Sequence, residues 1–292
     1  MTLTEKIVAS MEAATGEGFD VLGQQSMGGG CINSAWRLDT SQGSFFVKTN
    51  SAELLQMFEA EAEGLRELAA ANAIRVPVPV CSGVAEGQAY LVMEYLRTGS
   101  RGSMAVFGEQ LAQMHRHTSE QYGWRRDNTI GSTPQPNAWC ADWQTFWRER
   151  RLGFQLQLAK RKGASRSLCD KGQQLLEGLD VFFSGYTPQA SVLHGDLWSG
   201  NYAMTQDGQP VIFDPAVYFG DREADLAMTE LFGGFSKDFY AAYNASWRID
   251  PGYSLRKTLY NLYHILNHFN LFGGGYADQA ERMIERLLSE VH

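Results

Sequence analysis

Eight consecutive residues, His194-Gly195-Asp196-Leu197-Trp198-Ser199-Gly200-Asn201, followed after a gap by Ile212-Phe213-Asp214-Pro215, constrain this chain more than any other feature. The pattern is His-x-Asp-x-x-x-x-Asn and then a second Asp behind a short apolar run. It calls for a fold in which one loop presents Asp196 and Asn201 together. It also calls for a strand, built from Val211, Ile212 and Phe213, that carries Asp214 to the same place. An Asp so placed takes the proton of an acceptor hydroxyl, while an Asn and a further Asp hold Mg²⁺ against nucleotide phosphates. Singly, Asp196 reads as a turn aspartate and Asp214 as an Asx turn before Pro215. The ordered set points to phosphoryl transfer.

Composition sets the frame around that motif. A chain of 292 residues is long enough for two packed lobes. Its 44% hydrophobic and 20% charged content is that of an ordinary soluble enzyme. The formal charge of −8 and the lack of a basic stripe argue against a nucleic-acid partner. The four cysteines, Cys31, Cys81, Cys140 and Cys169, are scattered with no C-x-x-C pair, which suits reduced thiols. The N-terminal residues lack the basic and apolar regions of a signal peptide, and no apolar run reaches the length of a membrane span. A cytoplasmic protein without a membrane partner is expected, and a monomer.

Along the chain, Thr2-x-x-Glu5 reads as a capping box, and Leu3, Ile7, Val8 and Met11 recur at helical spacing. Strand-like segments follow at 19–25, 34–39 and 44–49, then a helix over 52–72 that ends before Val76-Pro77-Val78-Pro79. Another strand, 89–94, runs toward Gly99-Ser100-Arg101-Gly102, which has the composition of a hinge. From 104 onward helical patterns dominate, interrupted by short strands near 192, 202 and 212. The expected fold is α+β and bilobal, like a protein kinase, with a small β-rich N-lobe and a larger, mainly helical C-lobe. The lobe boundary falls at 96/97, giving 1–96 and 97–292. A Rossmann fold fits worse, because strands and helices do not alternate regularly.

Further residues carry chemistry. Gly28-Gly29-Gly30 lies between two strands, where a hairpin can cover nucleotide phosphates with backbone N–H groups, or be a simple turn. It is no Walker A motif, which needs a Gly-Lys-Ser/Thr ending that opens a helix. Lys48 ends the run Phe45-Phe46-Val47, from which an ammonium can reach phosphates. On the next helix Leu54, Met57, Glu61, Leu65 and Leu68 form one stripe. Glu61 takes an apolar position there, which is costly unless it is paired, and Lys48 is the natural partner. Glu59, Glu63 and Glu67 are expected on the solvated face. His194 is expected to shape its loop, Asp225 to cap or anchor, and His115 and His117 to pack or to meet a helix C-terminus. His264 and His268 share zinc-like spacing without a third ligand. Beside the glycines, the Cys31 thiol is open either to redox chemistry, including a Cys31-linked dimer, or to an inert role.

Together, Gly28–Ile32, Phe46-Val47-Lys48, Met57–Glu61, His194–Asn201, Arg222-Glu223-Ala224-Asp225-Leu226-Ala227 and Leu231–Phe235 resemble the fructosamine (ketosamine) kinases, relatives of the aminoglycoside and choline phosphotransferases. The Trp-Ser-Gly between Asp196 and Asn201 is the most specific part. Gly195 replaces the Arg of the protein-kinase His-Arg-Asp, and no Ala-Pro-Glu segment follows Asp214; both count against a protein kinase. The resemblance implies ATP-dependent phosphorylation of the sugar 3-hydroxyl of a ketosamine, small or protein-bound, after which the product sheds the sugar and frees the amine. It implies ATP and Mg²⁺ as cofactors, Asp196 as catalytic base and Asn201 with Asp214 as Mg²⁺ ligands. Lys48 becomes the phosphate-binding lysine, Glu61 its partner, and Met93, Glu94, Tyr95 and Leu96 an adenine-binding hinge. Trp198 becomes a candidate wall for the sugar. Two alternatives stand beside this: a kinase of another alcohol (an aminoglycoside, choline or a sugar), and a non-catalytic nucleotide-binding scaffold.

Overall fold

In the computed structural model, which describes residues 1–28 and 33–291, the first helix starts as the capping box requires. The Thr2 hydroxyl accepts from the Glu5 N–H, and the Glu5 carboxylate accepts from the Thr2 N–H. This α1 (Leu3–Thr15) buries Ile7, Val8 and Met11 and stops at Gly16 in the left-handed region. The strands β1 (Val21–Met27), β2 (Ser34–Thr40) and β3 (Gly43–Ser51) follow. A single 3₁₀ turn, Ala52–Leu54, leads into α2 (Leu55–Ala70), and β4 (Pro79–Ala85) and β5 (Gln88–Glu94) complete an antiparallel sheet. Its order is β1-β2-β3-β5-β4.

Because side chains alternate across a strand, this register sorts the sheet into two faces. Leu38, Val47, Tyr90 and Val92 pack with Ile7, Val8 and Met11 into one core. Lys48 lies on the other face, in register with Ala35 on β2 and Leu91 on β5, next to the Phe46–Met93 pair. The strand β4 is one that sequence reading missed, taking Pro77 and Pro79 as helix-breaking punctuation alone. It lies at the sheet edge, where Pro79 costs no ladder hydrogen bond.

The remaining elements, in chain order, are β6 (Thr98–Gly99), α3 (Met104–His115), β7 (Thr118–Ser119), β8 (Asn128–Ile130), β9 (Thr133–Gln135), α4 (Trp143–Phe146), α5 (Gly153–Arg161) and α6 (Arg166–Glu177). Then come β10 (Ala190–Leu193), β11 (Tyr202–Thr205), β12 (Pro210–Ile212), β13 (Tyr218–Gly220), α7 (Glu223–Leu231), α8 (Lys237–Ser246), α9 (Tyr253–Phe272) and α10 (Tyr276–Val291). The chain divides into two units, the first made of residues 1–103 and 203–214. This differs from the expected break at 96. Thr98 and Gly99 pair with Thr205 and Met204, and Ile212 bonds back to Arg75, so the β11–β12 ribbon belongs with the first unit. The second unit is mainly helical. Its longest helix, α9, buries Leu259, Tyr260, Leu262, Tyr263, Ile265 and Leu266. Trp143, Phe146 and Trp147 pack as core, while Trp139 stays 43% exposed. Helices α3 and α8 approach so closely at Gly108 that a Cβ would lie 2.2 Å from the Phe239 carbonyl oxygen.

Candidate active site

The first unit supplies a charged cluster. Lys48, on β3, is almost fully buried and donates to Glu61 Oε1 at 2.6 Å and to Asp214 Oδ1 at 2.5 Å. Burial alone would lower the Lys48 ammonium, but the Glu61 and Asp214 carboxylates outweigh it and hold it above its ordinary value. Burial pushes Glu61 up, opposed by Lys48. The ammonium is therefore charged and fixed between two oxygens. Asp214 follows β12 in the left-handed region (φ +56°), which aspartate tolerates better than most residues, and its side chain is 48% exposed. The Lys48–Glu61 pair is the one the α2 stripe implies; the Lys48–Asp214 bond has no sequence signal. Glu59, Glu63 and Glu67 are half-buried rather than solvated, a correction that follows from α2 burying Phe58, Ala60, Ala62 and Leu65 around Glu61.

Other candidate binding residues also lie on this unit. Met93 is buried, Glu94 forms an ion pair with Arg75, and the Arg37 guanidinium sits 5.5 Å from the Tyr95 ring centre. The Glu94 and Tyr95 N–H groups donate to the Val78 and Ser44 carbonyls. Leu96 follows, half-buried. Gly28 directly follows β1, while Gly29, Gly30 and Cys31 lie outside the described residues. Cys81, Cys140 and Cys169 are free thiols.

The second unit supplies a hydrogen-bonded loop. Gly195 has φ +81°, and a Cβ there would lie 2.1 Å from the Ala216 carbonyl oxygen, so this position accepts glycine alone without strain. Asp225, on α7, receives the His194 N–H at 2.7 Å and the Gly195 N–H at 2.8 Å. Burial would raise this carboxylate, but the His115 bond and the backbone donors outweigh it and hold it low, so Asp225 is an anion. The Asp196 N–H donates to His194 Nδ1 at 3.2 Å, which places the His194 proton on Nε2 and gives that ring its loop-shaping part. Asn201 Nδ2 donates to the Asp196 carbonyl at 2.8 Å and to Asp196 Oδ2 at 3.2 Å. Asp196 is thereby oriented at both its main chain and its side chain.

Trp198 is 36% exposed and meets Phe232 edge-on at 6.1 Å; Phe232 in turn lies 5.0 Å from His268. His268 Nδ1 is 2.8 Å from the His264 carbonyl oxygen, while His264 is buried. Among the described residues no group of three or more His, Cys, Asp or Glu side chains could hold a metal ion. Each unit carries an oxygen donor of the kind Mg²⁺ prefers: on the second, Asn201 Oδ1, whose amide nitrogen is committed to Asp196, and on the first, the Asp214 oxygen not bonded to Lys48. No helix among the described residues is long and apolar enough to cross a membrane.

A β-rich unit bearing a lysine–glutamate–aspartate cluster and a helical unit bearing an Asp–Asn loop define a kinase-like phosphotransferase. The chain belongs to the fructosamine kinase family, whose sequence profile matches residues 3–290. It is 47% identical over 291 residues to a probable ketoamine kinase of Synechocystis sp. PCC 6803, covering 97% of this chain and 96% of that protein. It is 45% identical over 277 residues to a chloroplastic protein-ribulosamine 3-kinase of Oryza sativa subsp. indica, covering 94% of this chain and 81% of that protein. A crystal structure of a fructosamine-3-kinase candidate from Haemophilus somnus 129PT superposes with a TM-score of 0.88 at 31% identity, over 97% of this chain and 96% of that one. The aminoglycoside phosphotransferase APH(4)-Ia, at 15% identity, shares the fold with a TM-score of 0.60 over 99% of both chains.

Proposed function

We propose that this protein uses ATP to phosphorylate the sugar 3-hydroxyl of ketosamines, after which the product releases the sugar and returns the free amine. The observation that carries this reading is the family match over residues 3–290, together with relatives named ketoamine kinase and ribulosamine 3-kinase. The Lys48–Glu61–Asp214 cluster and the Asp196–Asn201 loop supply the chemistry such a reaction needs.

Phosphoryl transfer passes through a loose transition state, so catalysis is mainly alignment and charge neutralisation. Lys48, locked by Glu61, offsets nucleotide phosphate charge. Asp196, oriented by Asn201 and by its loop, aligns the sugar hydroxyl and accepts its proton. Asn201 and Asp214 would hold Mg²⁺, which offsets phosphate charge when bound. Gly28, Gly29 and Gly30 cover the phosphates, and Met93, Glu94, Tyr95 and Leu96 receive the adenine. With Glu94 ion-paired to Arg75, Met93 contributes apolar contact and the segment contributes main chain rather than charge. Trp198, backed by Phe232, forms a sugar wall. The enzyme acts in the cytoplasm as a monomer.

The test is ATP consumption with Mg²⁺ over ribulose-lysine, fructose-lysine, choline and an aminoglycoside. Turnover confined to the ketosamines supports the reading. Turnover only on another alcohol keeps the chemistry and discards the substrate, and silence across the panel points to a nucleotide-binding scaffold.

A further inference from the structure

The loop that carries Asp196 depends on one carboxylate, and that carboxylate has a third donor from a distant helix. His115 is the last residue of α3 and fully buried. Its Nε2 lies 3.2 Å from Asp225 Oδ2, and its Nδ1 lies 2.8 Å from the Tyr243 hydroxyl on α8. Arg222 Nη1 donates to that same hydroxyl at 3.1 Å. The Arg222 guanidinium is itself fixed by the Trp247 and Arg248 carbonyls and stacks on the Trp247 ring at 4.2 Å.

These contacts admit a single consistent direction. Asp225 is an anion and can only accept, so the proton of the imidazole sits on Nε2. Nδ1 then offers a lone pair and receives the Tyr243 O–H, whose oxygen accepts from Arg222. Burial keeps the His115 ring neutral despite the neighbouring carboxylate. Every link from Arg222 through Tyr243 and His115 to Asp225 is thus satisfied, and Asp225 passes the constraint to the His194 and Gly195 amides. A buried carboxylate that lost the His115 donor would be less firmly oriented and poorly compensated.

We infer that His115 is a positioning residue for phosphoryl transfer, orienting Asp225 and through it the loop that presents Asp196. The inference rests on the kinase reading above but is separable from it, because the backbone bonds can be measured without turnover. Two substitutions divide the imidazole's contacts. His115→Gln places an amide N–H near the Nε2 position and keeps the Asp225 bond. His115→Asn places an amide oxygen near the Nδ1 position, keeping Tyr243 and losing Asp225.

The experiment is steady-state kinetics on a ketosamine with ATP, alongside hydrogen exchange at the His194 and Gly195 amides. His115→Asn is expected to lower kcat about tenfold or more, the loss of a hydrogen bond to a charged group, with KM for ATP nearly unchanged. Exchange at both amides should rise in step. His115→Gln is expected to recover most of both properties. If both variants misfold, Tyr243→Phe, which frees Nδ1, should raise exchange at the same amides and lower kcat by a smaller factor. Equal losses in the Asn and Gln variants, unaltered amide exchange, or normal kcat in His115→Asn or in the Tyr243→Phe fallback would each overturn the inference. If the wild type turns over no ketosamine while the exchange pattern holds, the substrate reading fails and the role of His115 stands.

Discussion

The two units place their key side chains by different physical means. In the first, Lys48 is positioned by charge: two carboxylates meet one ammonium on a sheet face, and one of them, Glu61, sits where its helix would otherwise be apolar. In the second, Asp196 is positioned through main chain: its loop hangs by two N–H hydrogen bonds from the buried Asp225 and is turned by a glycine that tolerates no side chain. A charge cluster fails when any member is neutralised. A main-chain loop fails when an anchor far from the reacting atoms is removed.

The largest expected effect comes from the carboxylate that the main-chain arrangement presents. Asp196→Asn should lower kcat by about 10²- to 10⁴-fold, the usual worth of a positioned base, while ATP still raises the melting temperature. Near-normal turnover would remove Asp196 from its role. Next is the charged side of the comparison. Lys48→Met leaves Glu61 uncompensated in a buried site, so stability should fall by about 3 kcal/mol and ATP-dependent stabilisation should disappear. Urea unfolding with and without ATP checks both; unchanged ATP stabilisation would mean that the lysine does not bind the nucleotide. On the main-chain side, Gly195→Ala should cost about 2 kcal/mol through the clash with the Ala216 carbonyl and the positive φ, and should depress kcat in the folded fraction. A fully active, stable alanine variant would show that the loop needs no glycine.

The smallest effect concerns pH. His264 is buried on α9, and burial, reinforced by His268, pushes its imidazole down to about 3. In the unfolded chain it titrates near its ordinary value of about 6.5. Its folded pKa is thus depressed, so its contribution to stability is complete above about pH 6.5 and is lost as pH falls toward 3, at no more than about 1.4 kcal/mol per pH unit. Urea unfolding of wild type and His264→Leu between about pH 7 and about pH 4 should show a shallower acid dependence in the variant. Parallel curves would mean that His264 is protonated at little cost.

What was legible in the chain beforehand follows the same division. The capping box at Thr2 and Glu5, the first three strands and the Lys48–Glu61 pair could be read because each leaves a local trace: a cap, an alternation, or a carboxylate on an apolar stripe. The spacing of Asp196 and Asn201 could be read for the same reason. The Lys48–Asp214 bond spans 166 residues and the His115–Asp225 bond spans 110, and no periodicity reports such distances. The strand β4 was hidden because its proline is harmless only at a sheet edge, a tertiary circumstance. The return of 203–214 to the first unit was hidden likewise, since β6 offers only two residues to announce it.

The central claim is tested most directly by the chemistry of the product. Phosphorus and proton NMR of ribulose-lysine and fructose-lysine incubated with enzyme, ATP and Mg²⁺ should show one new phosphate ester, coupled to the proton at sugar C3, followed by appearance of free lysine. A phosphate at another sugar carbon, or a stable product from which no amine is released, would contradict the assignment of a deglycating ketosamine 3-kinase.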